Sequence, residues 1–214
     1  MDRKQHWERV YGTKKPTEVS WYQAEPILSL SLVSEAAGAG PVSIIDVGGG
    51  SSTLVDRLVE RPSTEVTVLD LSGAALREDQ DRLGERASRV KWIEADILNV
   101  ELPEKAYDVW HDRAVFHFLT DVADRRRYVD QVLRSVREGG HVLVATFDED
   151  GPERCSGLNV ARYSPEELHA QFGAPCRLLR SVHENHLTPM GTTQKFVYCL
   201  CSVEAPAGKY RVAS

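Results

Sequence analysis

The stretch from Ile44 to Leu54, Ile-Ile-Asp-Val-Gly-Gly-Gly-Ser-Ser-Thr-Leu, constrains the fold more than any other part of the chain. Three glycines in succession let a backbone turn sharply and leave no Cβ between the main chain and a ligand. Before them, Ile44, Ile45 and Val47 read as a buried strand. After them, Leu54, Val55, Leu58 and Val59 recur at helical spacing. Strand, tight glycine turn and helix are therefore expected here, an arrangement that cradles a nucleotide-type cofactor.

The neighbouring residues narrow the choice of cofactor. A dinucleotide fingerprint needs a small residue three positions after Gly50, and that position is Thr53. Asp46 at the strand end would repel a pyrophosphate but suits a cationic ligand group. No Gly-Lys-Ser/Thr follows, which excludes a P-loop. From Pro41 onward strands and helices alternate, as in a parallel sheet covered on both faces. The second strand, Glu65 to Leu69, ends in Asp70, 22 positions after Gly48. That is close to the ~20 residues at which doubly wound units place the carboxylate for two ribose hydroxyls. An Asp followed by Leu-Ser also suits a cap on the next helix. The third strand, Val90 to Ile93, leads into Glu94-Ala95-Asp96-Ile97. Asp96 can accept a hydrogen bond from an exocyclic amine, and Leu71 and Ile97 can sandwich a flat base.

With Asp46 and the Gly48-Gly49-Gly50 turn, then Asp70 and Asp96 at the next strand ends, the chain resembles class I S-adenosylmethionine-dependent methyltransferases, in motif I and in the adenine-recognition segment. The resemblance covers roughly residues 42 to 203. It implies an α/β, doubly wound seven-stranded sheet, six strands parallel and the last antiparallel, with helices on both faces. Residues 1–40 would form an N-terminal helical cap within the same domain, 41–204 the cofactor-binding core and 205–214 a flexible tail. The implied cofactor is S-adenosylmethionine, giving S-adenosylhomocysteine, held by Trp21, Asp46, Gly48, Gly49, Gly50, Asp70, Leu71, Asp96, Ile97 and His111. Tyr107 to Arg113 reads as a fourth strand running into an aromatic segment, and His111-Asp112-Arg113 resembles motif IV, beside the departing methyl group. Asp112, His111, Tyr22 and His117 are the catalytic candidates. His117, between two phenylalanines, equally suits a packed core position. Asp112 with Asp148 or Asp150 could hold Mg²⁺ as in catechol-type enzymes, but no metal is expected.

Around this core, Trp7, Val10 and Tyr11 fall on one face of a helix over residues 2 to 11, and Trp21 and Tyr22 precede a second helix near Pro26. These aromatics read as a hydrophobic lid, or as rings closing over a sulfonium. A later helix carries Val129, Val132, Leu133 and Val136, with Gly139-Gly140 as its stop; Val142 to Phe147 is the fifth strand. Asp148 to Arg162 is a candidate substrate loop, Ser164-Pro165-Glu166-Glu167 starts a helix, and two antiparallel strands close the chain. Cys155, Cys176, Cys199 and Cys201 have no zinc-type spacing and are expected as free thiols.

A formal charge of −6 argues against wrapping nucleic acid, and Asp112-Arg113-Ala114-Val115 lacks the Asn/Asp-Pro-Pro-Tyr pattern of base-amine enzymes. No run approaches a membrane span, and cytoplasmic residence is the simple expectation. The leading expectation is an enzyme that methylates a small-molecule O, N or S nucleophile. Protein lysine, a non-catalytic cofactor-binding module and a nicotinamide-dependent reductase are the competing readings.

Overall fold

Aliphatic and aromatic residues, concentrated in seven segments, pair into one sheet of order β3-β2-β1-β4-β5-β9-β8. The strands are β1 (Val42–Val47), β2 (Thr64–Asp70), β3 (Val90–Glu94), β4 (Tyr107–Arg113), β5 (Val136–Phe147), β8 (Cys176–Leu187) and β9 (Thr193–Val203); β6 (Arg154–Cys155) and β7 (Leu158–Asn159) form a separate small hairpin. The computed structural model describes residues 2–205. β1 to β5 pair in parallel, while β9 runs antiparallel to both β5 and β8. Six strands thus share one direction and the last strand in the chain opposes them, as expected. Of the anticipated tail, 205–214, residues 206–214 lie outside the described residues.

Alternation along the strands divides the core into two layers. Ile44, Val68, Val109 and Leu143 face one side, packed against Leu54, Val55 and Leu58 of α3 (Leu54–Leu58) and Leu32 and Val33 of α2 (Ile27–Ala37). Ile45, Val47, Trp110 and Val144 face the other, packed against Tyr128 and Val132 of α5 (Val122–Ser135) and Phe172 of α6 (Pro165–Phe172). Burying each such side chain contributes roughly 1.5–3 kcal/mol relative to exposure. α2 is therefore one of the sheet's covering helices. α1 (Arg3–Thr13) precedes it in the chain.

Local chemistry places the boundaries. Asp2 accepts from Lys4 N to start α1, Ser72 accepts from Ala75 N to start α4 (Gly73–Leu83), and Ser164 with Glu167 forms a reciprocal capping box on α6. Gly139-Gly140 does not end α5, which stops at Ser135. It lies in a wide bulge of β5: Tyr107 faces Val136 while Val109 faces His141, and Gly139 turns at φ +76°. The order reverses between β1 and β4, and Asp46, Asp70, Glu94 and His111 all lie near the carboxyl edge beside that point. Open α/β sheets hold ligands at such a switch.

Candidate functional site

The glycine turn is fixed from behind by main-chain and side-chain bonds. Gly48 N donates to Leu69 O at 2.7 Å, and Gly48 sits at φ +69°, where an L side chain is strained. A Cβ there would also collide with Cγ2 of Val115. Gly50 N donates to Asp70 Oδ2 at 3.0 Å, Ser51 Oγ to Glu78, and Arg82 Nη2 to Ser52 O at 2.6 Å. Thr53, which breaks the dinucleotide pattern, donates through Oγ1 to Gln23 O at 2.8 Å and ties the turn to the cap.

Two clefts open on this turn. The first, about 800 Å³ counting its solvent-open mouth, has Asp70, Leu71, Asp96 and Ile97 on one side and Trp7, Tyr11, Trp21 and Phe118 on the other. The second, of about 480 Å³, is lined by Tyr22, Asp46, Gly48, Gly49, Gly50 and His111. Trp21, Gly48 and Arg113 border both. Every residue expected to hold the cofactor lines at least one of the two.

Their polar atoms are arranged with few free ends. Asp46 is 2% exposed; its Oδ1 lies 2.7 Å from His111 Nδ1, and its Oδ2 has no partner. His111 Nε2 lies 3.0 Å from Ser29 Oγ, so α2 fixes the imidazole that fixes the carboxylate. A buried carboxylate oxygen without a donor costs free energy, and an ammonium or N–H brought into the second cleft relieves it. Asp70 accepts from Ser72 N at 2.8 Å as well as from Gly50 N, so it braces the turn into α4 while Ser72, not Asp70, caps that helix. Burial pushes its carboxyl up to about 6. Asp96 is half-buried and accepts from Leu98 N and Asn99 Nδ2 at 2.9 and 3.1 Å.

Asp112 and His117, two of the four catalytic candidates, border neither cleft. Asp112 is fully buried on the far side of β4: Oδ1 accepts from Val115 N at 2.9 Å, and Oδ2 from Phe116 N at 3.1 Å and Tyr128 OH at 2.5 Å. Its carboxylate shapes the 114–118 turn, which includes Ala114 at φ +75° and Val115 against Gly48. His117 is also fully buried, and Phe147 N approaches its Nδ1 at 3.4 Å; desolvation pushes its pKa down to about 3, leaving a neutral core imidazole. Asp148 pairs with His183 and Asp150 with Lys195. Among the described residues no group of three or more His, Cys, Asp or Glu is placed to hold a metal ion. The four cysteines are free and buried.

Other cleft residues carried only a partial sequence signal. Trp7 and Tyr11 were legible as a helix face, and the fold sets them edge to face with Trp21 at 5.7 and 6.1 Å and Trp7 with Phe118 at 5.1 Å. α1 is fastened over the cleft by Glu8 Oε1, which accepts from Gly73 N at 2.6 Å, and by the Lys4–Glu94 and Arg3–Asp124 ion pairs. Cys155 lines the first cleft from the β6–β7 hairpin, a contact no spacing announced; burial pushes its thiol up to about 12 and the Tyr11 hydroxyl well above its usual range.

Residues 44–140 match the family model described as a methyltransferase domain. An uncharacterised methyltransferase of Mycobacterium tuberculosis is 30% identical over 117 residues, 55% of this chain and 56% of that protein. The chain thus spans about half the length of such curated relatives. The N-methyltransferase NodS of Bradyrhizobium japonicum, solved with S-adenosylhomocysteine, superposes with a TM-score of 0.71 at 15% identity, over 95% of this chain and 100% of that one. A structure from work on converting a disulfide bond into a thioacetal group during echinomycin biosynthesis gives a TM-score of 0.76 at 17% identity, over 94% and 93%. No helix among the described residues is long and apolar enough to cross a membrane.

Proposed function

We propose that the chain is a class I S-adenosylmethionine-dependent methyltransferase that transfers a methyl group to a small-molecule acceptor. The observation that carries the proposal is the pair of clefts meeting at Gly48, one flanked by Asp70, Leu71, Asp96 and Ile97, the other by the unpartnered Asp46 Oδ2. In this reading Asp70 takes the ribose hydroxyls, Leu71 and Ile97 enclose the base and Asp96 accepts its exocyclic amine. Asp46, oriented by His111, accepts the ammonium of the amino-acid end, and the glycine turn admits it closely. Trp21 presents a ring to the sulfonium.

S-adenosylmethionine, when bound, supplies an electrophilic methyl group on a sulfonium. The protein's contribution is alignment and exclusion of water by the ring cluster of Trp7, Tyr11, Trp21 and Phe118. The hydroxyl of Tyr11 and thiol of Cys155 stay protonated, and Asp112 and His117 are sealed in the core. The acceptor therefore enters as a nucleophile that needs no proton removed by these groups. The ring-enclosed first cleft favours a small, largely apolar acceptor over an extended peptide.

Calorimetric titration with S-adenosylhomocysteine tests the cofactor reading; an absence of binding and of thermal stabilisation overturns it. Labelled S-adenosylmethionine, incubated with cell extract divided into protein and small-molecule fractions, tests the acceptor. Label in the small-molecule fraction is expected, and label confined to protein refutes that class.

A further inference from the structure

Arg113 is the last residue of β4 and borders both clefts. In register beside it on β5 is Ala145, and beside Ala145 on β9 is Tyr198. Ala145 offers only a methyl, so the Arg113 side chain crosses β5 and its Nε donates to Tyr198 OH at 2.8 Å. Phe196 lies under the guanidinium, 4.2 Å from Cζ to the ring centroid. Nη2 donates to Glu184 Oε2 on β8 at 3.3 Å, and Nη1 donates to Trp21 O at 3.0 Å.

Glu184 is the second anchor of the same segment. It accepts from Tyr198 OH at 3.0 Å and, through Oε1, from Gln23 Nε2 at 2.9 Å. Three carbonyls of residues 20–23 are thereby held from the folded core: Ser20 by His186 Nε2 at 2.7 Å, Trp21 by Arg113 and Gln23 by Thr53 Oγ1. Residues 20–23 belong to neither a helix nor a strand. These side chains, not a backbone ladder, define where Trp21 stands.

We propose that Arg113 is a positioning residue: through the Trp21 carbonyl, and backed by Glu184, it fixes the Trp21 ring at the junction of the two clefts. The consequence for cofactor binding rests on the reading above; the anchoring of Trp21 does not. Arginine suits this position because a planar fork makes three bonds in three directions at once. A lysine ammonium satisfies Glu184 as a point charge but cannot also span Tyr198 and Trp21.

The test is Arg113→Lys in protein labelled with 5-fluorotryptophan, read by fluorine NMR. Four resonances are expected from the four tryptophans, with that of Trp21 assigned from Trp21→Phe. In Arg113→Lys the Trp21 resonance should broaden or split while those of Trp92 and Trp110 stay in place, and affinity for S-adenosylhomocysteine should fall about tenfold. Glu184→Gln, which keeps an acceptor oxygen but removes the charge, should loosen Trp21 in the same direction and less far; it also decides the matter if the lysine variant does not fold. An unchanged Trp21 resonance in the folded variants overturns the proposal, as does movement of Trp92 and Trp110 together with Trp21. If the wild type binds no S-adenosylhomocysteine, the functional reading falls, and the ligand-free spectra still decide whether Arg113 anchors Trp21.

Discussion

Gly48→Ala separates the two demands that the glycine turn makes on its first residue. At φ +69° an alanine costs about 1–2 kcal/mol, because its Cβ crowds the adjacent carbonyl. That Cβ also falls onto Cγ2 of Val115, and a β-branched side chain has little rotamer freedom with which to retreat. Nor can the main chain of Val115 yield easily, since Asp112 Oδ1 holds its N–H at 2.9 Å. Forced overpacking of this kind costs about 1–3 kcal/mol, so the variant should lose roughly 2–5 kcal/mol in all. Adding Val115→Ala removes the colliding methyl and leaves the backbone strain. Urea denaturation of the four members of this cycle should therefore give a favourable coupling of about 1–3 kcal/mol, with S-adenosylhomocysteine affinity partly restored in the double variant. Effects that add to within about 0.5 kcal/mol would show that Val115 does not wall the turn, and the steric account would be wrong.

Burial gives two further expectations. Asp79, fully buried on α4, is pushed up to about 8 by desolvation even though Arg82 Nη1 lies 2.7 Å away. Its folded pKa lies above the ordinary carboxylate value of about 4, so the native state keeps a proton that the unfolded chain releases. The stability linked to that proton is full below about pH 4 and is lost as pH rises through about 8. The stability of Asp79→Asn relative to wild type should accordingly rise between about pH 4 and pH 8 and level off above, in urea melts taken across that range; a difference independent of pH refutes the assignment. For His117, proton NMR of the imidazole should show no titration between about pH 5 and pH 8, and a midpoint near the ordinary 6.5 would contradict its sealed position.

How far the sequence was legible depended on whether the signal was local. The glycine turn, the strand-end acids and the capping box at Ser164 are short-range patterns, and the fold reproduces them. Asp112 misled because a carboxylate at the end of β4 reads the same whether it faces the cleft or the core. What decides its direction is Tyr128, sixteen positions away on α5, together with the N–H groups of a turn whose course the sequence did not specify. Gly139-Gly140 misled in the same way: a glycine pair marks a helix stop or a bulge, and only pairing with β4 distinguishes them. Arg113 reads in sequence only as part of the motif IV resemblance, because the partners that give it an anchoring role lie on β8, β9 and the cap.

The Gln23–Glu184 bond joins residues 161 positions apart, and Ser20–His186 spans 166. Such contacts close very long loops, so their entropy is recovered only after most of the sheet has formed. Of the bonds that hold residues 20–23, those from Thr53 and Arg113 come from residues up to the end of β4, whereas those from Glu184 and His186 require β8. A chain truncated before β8 would retain the glycine turn and all three strand-end acids, Asp46, Asp70 and Asp96, but would lose the Glu184 and His186 anchors on residues 20–23.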